Sequence, residues 1–396
     1  MVPLVGVPRR RRPLRIILII ILIILLAAGC SRFRAKRQTS PPVNTPITST
    51  VLAGTTSNSF RTAIKNLINK IRNRNSGSKT TPPSIQSAFQ AGLIKSQIKY
   101  TNSGGKSITR PIEVWYPTHA QAKAYAEYGR GSAGKVALNA SLADGFHPLV
   151  VFSHGYRGCA DQSVFITEQL ARQGFIVAAV THADASCASE SAGTVEGPAF
   201  KDTASWTDKK YWDRKEDVSA LIDYMLSSNN DSSSPFYKKV NESRITGMGH
   251  SLGGYTILGM VGGWSSWTDS RIKAALLLSP FAQPFLDTDG NLSGVKVPVM
   301  FQGGTLDIGI TPHLPDVYAK VSKPKYFLVL TRASHFAWTN LSCRNTAAPA
   351  CVQSGNPSVI LKYGFGFLDY FVNSTSAQLN VLHATDPSLK SYVYQD

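Results

Sequence analysis

A serine set between glycines, an aspartate in a glycine-rich loop and a late histidine are the residues of this sequence best suited to chemistry. Met248-Gly249-His250-Ser251-Leu252-Gly253-Gly254 contains Gly-x-Ser-x-Gly with a further glycine behind it. Strand-like Arg244–Met248 precedes it and helix-like Tyr255–Val261 follows. A serine at the apex of such a strand–turn–helix is held in a strained turn with its hydroxyl presented above a sheet. Gly249 and Gly253 leave room where the two backbones close on the turn. The hydroxyl becomes a nucleophile only if a base takes its proton and an acid holds the base. The chemistry would then be acyl transfer. Alone, the motif could equally be a glycine-rich helix start, so its partners decide.

In a doubly wound sheet that carries such a triad, the chain order is Ser, acid, His. Val297–Phe301 reads as a late strand, and Gln302-Gly-Gly-Thr-Leu-Asp307 follows it. Asp307 therefore sits in a loop at a strand's C-terminal end, where open α/β sheets place functional groups. Its bland alternative is a helix cap. Asp287 and Asp289 also follow a strand, but Asp289-Gly290 reads as a turn. Of the eight histidines, three lie beyond Asp307. His313 is too close to the acid, and His383 lies near a tail that could fray. His335 follows the strand Tyr326–Leu330 by a short loop and is the expected base.

An oxyanion hole needs two backbone N–H groups. One is expected from Leu252, after the nucleophile. The other is expected from Tyr156, in the loop Phe152-Ser-His154-Gly155-Tyr156-Arg157-Gly158 that follows the early strand Leu149–Phe152. His154 and His250 precede the acid and are read as loop buttresses. Tyr156 and Trp338 are the aromatics expected to contact substrate, whereas Trp264 and Trp267 are read as packing at a helix end.

The elements that must position these groups alternate. A hairpin is predicted from Ile94–Tyr100 and Ile108–Tyr116 around Asn102-Ser-Gly-Gly105. Ala120–Tyr128 reads as helical. Strands and helices then alternate from Leu149 to a last helix over Val359–Phe371, which implies a mostly parallel sheet with helices on both faces. The fold class is therefore α/β with an N-terminal antiparallel hairpin. Ala183–Tyr211 has no clear period and reads as a loop or small cap near the site.

The net charge of +18 would suit a nucleic-acid binder if it were spread over the chain. Residues 1–99 hold 17 Lys and Arg and no acid, whereas residues 100–396 hold 25 against 24 acids. The charge belongs to the N-terminal segment, and nucleic-acid binding by the main domain loses its support. Arg9–Arg12 and Arg15 precede 13 apolar residues, Ile16–Ala28. A membrane span needs about 20, so the run fits a secretory leader. Leu26-Ala-Ala-Gly-Cys30 resembles a bacterial lipobox, which would make Cys30 a lipidation site. An uncleaved anchor is the alternative. Residues 38 to about 58 read as a tether. Residues 60–74 show helical spacing and would either lie on anionic lipid, the favoured reading, or dock on the main domain. The division expected is a leader or anchor over 1–30, a basic linker over 31–94 and a catalytic domain over 95–396. Cys343 and Cys351, eight apart in a loop-like stretch, are expected to pair. By elimination Cys159 pairs with Cys187, one of three connectivities that four cysteines allow. No Cys-x-x-Cys occurs to suggest zinc or redox chemistry.

Together, Val114-Trp-Tyr-Pro117, Phe152-Ser-His-Gly155, Gly249-His-Ser-Leu-Gly-Gly254, Gly303-Gly-Thr-Leu-Asp307 and Ser334-His335-Phe336 resemble a known branch of the α/β-hydrolases. It comprises platelet-activating-factor acetylhydrolases, dienelactone-hydrolase-like proteins and cutinase-like polyester hydrolases. The resemblance covers about residues 95–375. It implies an α/β-hydrolase fold and a monomeric serine ester hydrolase without cofactor or metal. By it Ser251 is nucleophile, Asp307 acid and His335 base, with oxyanion N–H groups on Tyr156 and Leu252. Cys343–Cys351 would be the counterpart of the disulfide that cutinase-like enzymes carry near the histidine. The serine departs from dienelactone hydrolases proper, which use cysteine. The substrate implied is a lipid, polyester or small ester, met by an exported, envelope-anchored or secreted protein. Acyltransferases and perhydrolases share the triad, and a surface binding protein on this scaffold is the non-enzymatic alternative.

Overall fold

The computed structural model describes residues 88–396, apart from 129–131, 188–199, 201, 289 and 345. The expected leader, the Cys30 site, the tether and the helix over 60–74 all lie outside the described residues. Among the described residues no helix is long and apolar enough to cross a membrane.

Among the described residues eleven strands form one sheet: β1 Gln90–Thr101, β2 Ser107–Thr118, β3 Lys123–Tyr128, β4 Ser132–Leu138, β5 His147–Ser153, β6 Ile176–Val180, β7 Val240–His250, β8 Ile272–Leu278, β9 Val299–Gly304, β10 Lys325–Leu330 and β11 Leu389–Gln395. Their order is β11-β10-β9-β8-β7-β5-β6-β2-β1-β4-β3. From β6 to β10 neighbouring strands are parallel. The β1–β2 hairpin is antiparallel along its whole length and joins β6 through β2. The longer helices are α1 Val164–Arg172, α2 Trp212–Asn230, α3 Leu252–Leu258, α4 Leu314–Lys320, α5 Gly355–Asn373 and α6 Gln378–His383.

The central strands are apolar on both faces because both faces are covered. Leu149 and Val151 point into one core with α2, α3 and α4, which contribute Val218, Tyr255 and Val317. Val150 and Phe152 point into the other with α1 and α5, which contribute Phe165 and Phe367. This three-layer arrangement is the α/β-hydrolase architecture. It brings the C-terminal ends of β5, β7, β8, β9 and β10 side by side.

Three expectations are corrected. Ala120–Tyr128 is not helical; its last six residues form edge strand β3. The pairing of β3 with β4 slips between Tyr125 and Tyr128. That irregularity turns both tyrosines inward, their rings 4.7 Å apart. A three-residue spacing of buried residues imitates a helix. The first strand starts earlier than the expected Ile94: β1 begins at Gln90, and the Phe89 ring packs on His119 and His147. The C-terminus does not fray: β11 pairs antiparallel with β10 and closes the sheet edge.

Candidate active site

β7 ends at His250 and α3 begins at Leu252, so Ser251 occupies the whole turn, with φ 54° and ψ −118°. That left-handed φ is unfavourable for a residue with a Cβ. It is held from three sides. Ser251 N–H donates to Leu278 O at 3.1 Å, and its carbonyl accepts from Tyr255 N–H at 3.1 Å and Phe281 N–H at 2.9 Å. A Cβ at Gly249 would strike the Gly253 carbonyl, and one at Gly253 would strike the Ser153 carbonyl. The elbow therefore closes only with glycine on both flanks.

Asp307 lies three residues past β9 and His335 five past β10. The two loops are stitched together: Leu306 N–H donates to Ala333 O at 2.9 Å and Arg332 N–H to Thr305 Oγ1 at 2.8 Å. They bring His335 Nε2 to 2.9 Å from Ser251 Oγ and His335 Nδ1 to 3.2 Å from Asp307 Oδ2. Asp287 is elsewhere, accepting from Thr203 and Gln283. Asp289 lies outside the described residues. His313 sits in a short turn, and His383 bonds Asp396 at 2.9 Å.

The geometry also brings in Ser279, which the sequence reading missed. It follows β8, is fully buried, and its hydroxyl meets both Asp307 Oδ2 and His335 Nδ1. The only signal was a polar residue at the C-terminal end of an apolar strand, beside the elbow.

Leu252 is the first residue of α3, so its N–H has no acceptor within the helix. Gly155-Tyr156 forms the facing loop. Gln162 clamps that loop to the rest of the site. Its Oε1 accepts from Gly155 N–H at 2.9 Å and its Nε2 donates to His250 Nδ1 at 3.0 Å. His250 Nε2–H in turn donates to the His335 carbonyl at 2.9 Å. Burial, then the neighbouring His335, pushes the His250 imidazole down to about 3, so it stays neutral in this tautomer. His154 is buried too, donating from Nδ1 to Gly155 O at 2.7 Å and accepting from His182 N–H at 3.0 Å. Both histidines are buttresses, as their place in the chain predicted.

Beneath the loop lies Arg214, from the first turn of α2, without exposed surface. It grips both Asp184 oxygens at 2.8 Å and donates to the carbonyls of His154 at 2.7 Å and Gly155 at 3.3 Å. Burial pushes the Asp184 carboxyl up, but the guanidinium more than offsets it and holds the group well below the usual range. Nearby, Ser153 Oγ meets His182 Nε2 at 2.8 Å, and His182 Nδ1 meets Asp217 Oδ2 at 2.9 Å. Both links of this second hydroxyl–imidazole–carboxylate chain are shorter than those of the first. Its three side chains are fully buried, whereas the His335 side chain is 26% exposed. Solvent access, not distance, separates the candidate site from its structural double.

Tyr156 is half-buried, with its ring 5.8 Å from that of Phe200. Phe200 leads through Phe281 and Trp206 into a buried aromatic wall. Trp338 does not line the site, contrary to expectation. It is fully buried, donates to Gln302 Oε1 at 2.9 Å and stacks on His250. Its indole N–H found an internal partner, and the next ring along the loop took the surface position. That ring is Phe336, 55% exposed and 5.6 Å from His335. Leu306, Ile308 and Phe200 are also exposed. Trp264 and Trp267 pack internally, donating to Tyr255 Oη at 2.9 Å and Asp208 O at 2.7 Å.

Cys159 is bonded to Cys187 and Cys343 to Cys351. The first bond ties the Tyr156 loop to the segment after β6, and the second closes the loop that follows His335. Residues 117–376 match the family described as PET hydrolase-like, which is more than half of the chain. The chain belongs to this PET hydrolase-like family. It is similar to the cutinase cut1 of Thermobifida fusca, 25% identical over 63% of this chain and 76% of that protein. It is also similar to cutinase 2 of Thermobifida cellulosilytica, 29% identical over 48% of this chain and 60% of that protein. Cutinase est2 of Thermobifida alba is 28% identical over 48% and 52% respectively. This PET hydrolase-like protein is thus a carboxylic-ester hydrolase on the cutinase branch of the α/β-hydrolases.

Proposed function

We propose that this PET hydrolase-like protein is an exported polyester hydrolase using Ser251 as nucleophile, His335 as base and Asp307 as acid. The observation that carries the reading is the chain Ser251 Oγ–His335 Nε2 at 2.9 Å and His335 Nδ1–Asp307 Oδ2 at 3.2 Å. His335 Nε2 takes the Ser251 proton as the hydroxyl attacks an ester carbonyl. Asp307 holds the imidazole tautomer and stabilises the imidazolium. The oxyanion is received by the N–H groups of Tyr156 and Leu252. His335 then protonates the leaving alcohol, and water releases the acid from Ser251 by the same proton path. Polyester as the substrate draws on the family match and the cutinase relatives. Leu306, Ile308, Phe336 and Phe200 support it, because exposed apolar side chains beside a site suit a substrate offered as a surface. Export rests on the leader over 1–30 and its lipobox-like end at Cys30, with the basic segment holding the enzyme near a membrane.

The test is Ser251→Ala. Turnover of a p-nitrophenyl ester and release of acid from a polyester film should both fall by at least about 10⁴-fold. A fluorophosphonate should label wild type at Ser251 and leave the variant unmodified. Retained turnover in Ser251→Ala would overturn the assignment.

A further inference from the structure

We propose that Ser279 is a positioning residue whose hydroxyl bridges Asp307 and His335 and aims the imidazole at Ser251. The inference rests on the triad reading above and deepens it. Ser251 Oγ–H donates to His335 Nε2, so the single ring proton of neutral His335 is on Nδ1. That Nδ1–H faces two acceptors, Ser279 Oγ at 3.0 Å and Asp307 Oδ2 at 3.2 Å. The hydroxyl oxygen is the nearer. A hydroxyl has one proton and two lone pairs. Ser279 gives its proton to Asp307 Oδ2 and accepts the Nδ1–H on a lone pair. The three groups close a triangle in which every donor has an acceptor.

The triangle fixes two rotations at once. The carboxylate cannot turn away from the ring without losing the Ser279 donor. The ring cannot flip without withdrawing Nδ1–H from both oxygens. When His335 accepts the Ser251 proton, its Nδ1–H is still a donor. The new charge is then felt by Asp307 both directly and through a polarised hydroxyl.

The backbone of Ser279 is itself held for this purpose. Its φ is 45°, in the left-handed region where glycine sits without cost and serine does not. Its N–H donates to Gln302 O at 2.7 Å, which binds it to the strand leading to Asp307. Two residues on, Phe281 N–H bonds the Ser251 carbonyl at 2.9 Å. The segment Ser279–Phe281 therefore spans from the acid's strand to the nucleophile's turn. A strained residue with no exposed surface, and a hydroxyl aimed between acid and base, is strain stored at a functional position.

The experiment compares Ser279→Gly, which accepts the backbone and lacks the hydroxyl, with Ser279→Ala, each in wild-type and Asp307→Ala backgrounds. A soluble p-nitrophenyl ester is the substrate, and active enzyme is counted by fluorophosphonate titration. In the wild-type background kcat per active site should fall about 10- to 100-fold, the range for a lost hydrogen bond to a charged group. KM should stay within about two-fold and the Tm of Ser279→Gly close to wild type, because a packing defect alone would not separate kcat from KM. In the Asp307→Ala background the loss should differ from that in wild type by at least several-fold, since the hydroxyl then holds Nδ1–H without a carboxylate behind it. Wild-type kcat in both Ser279 variants, or an equal loss in both backgrounds, overturns the proposal. Ser251→Ala is measured alongside. If it is dead while the Ser279 variants keep full kcat, the triad stands and the bridge falls; if Ser251→Ala is active, both fall.

Discussion

Arg214 donates from Nη1 to the carbonyl oxygen of His154 at 2.7 Å, from a guanidinium without exposed surface. The same group neutralises Asp184 and touches the Gly155 carbonyl. A helix on one layer of the sandwich thereby sets the direction of the next peptide N–H, that of Tyr156.

Two contributions of Arg214 can be separated by mutation. Arg214→Met leaves Asp184 buried and unpaired, which costs about 3–5 kcal/mol when one partner of a buried pair is removed. Its Tm should drop accordingly. Arg214→Met with Asp184→Leu should recover much of that Tm, since apolar replacements of a buried pair are tolerated. It should not recover kcat, because the grip on the His154 and Gly155 carbonyls is still missing. Thermal melts and soluble-ester kinetics on both variants check this, and full recovery of kcat in the double variant would contradict it.

Gln162 makes a second grip on the same loop. Gln162→Leu removes the acceptor for Gly155 N–H and the donor to His250 Nδ1. His250 then holds the His335 carbonyl from a ring that is free to turn. The expected result is a fall in kcat of about 5- to 30-fold with little change in KM, equivalent to one or two neutral hydrogen bonds at about 1 kcal/mol each. Steady-state kinetics decide it. A KM effect with unchanged kcat would place Gln162 in substrate binding instead.

How much of this was legible follows from what each residue depends on. Ser251, Asp307 and His335 stand in loops whose chain order and strand endings are local features, and the fold brings them together. The alternating apolar strands from Leu149 to Leu330 announce a sheet buried on both faces. Ser279 and Gln162 carried no such signal, because a bridging role exists only after β8 and α1 have been docked beside the elbow. Trp338 was misplaced for a related reason. Proximity in sequence to His335 says nothing of which side of the loop faces solvent, and Gln302 on β9 drew the indole inward. Tyr125 and Tyr128 misled through a strand irregularity that only pairing with β4 reveals.

The exposed aromatic and aliphatic side chains around the site make a prediction about substrate form. Ile308 is 82% exposed and Phe336 55%, so Ile308→Ser with Phe336→Ser removes contact surface without opening the core. Stability should move by no more than about 0.5 kcal/mol per site. Hydrolysis of a polyester film should fall several-fold, while turnover of p-nitrophenyl acetate stays within about two-fold, because a small dissolved ester does not need the rim. Parallel assays on film and soluble ester test the difference. Equal losses on both substrates would assign these side chains to the acyl site and not to surface contact.

The last prediction concerns pH and stability. Glu168 on α1 is buried, accepting from Tyr128 Oη at 3.0 Å and from Lys135 N–H at 3.1 and 3.2 Å. Burial raises its carboxyl to about 7, although Lys135 N–H and Arg172 pull it down. The folded state therefore holds a proton between pH about 4.5 and 7 that the unfolded chain has released. With more protons bound in the native state, stability falls as pH rises through that window. The contribution is fully present below the unfolded value and lost above 7. Glu168→Gln removes the ionisation and keeps an acceptor for Tyr128. The Tm of the variant relative to wild type should therefore climb between pH 5 and pH 8, with the variant gaining on wild type at the higher pH. Melting curves at matched ionic strength across that range give the slope. A Tm difference that stays constant with pH would mean that Glu168 is ionised throughout, its burial fully compensated by Lys135 N–H, Tyr128 and Arg172.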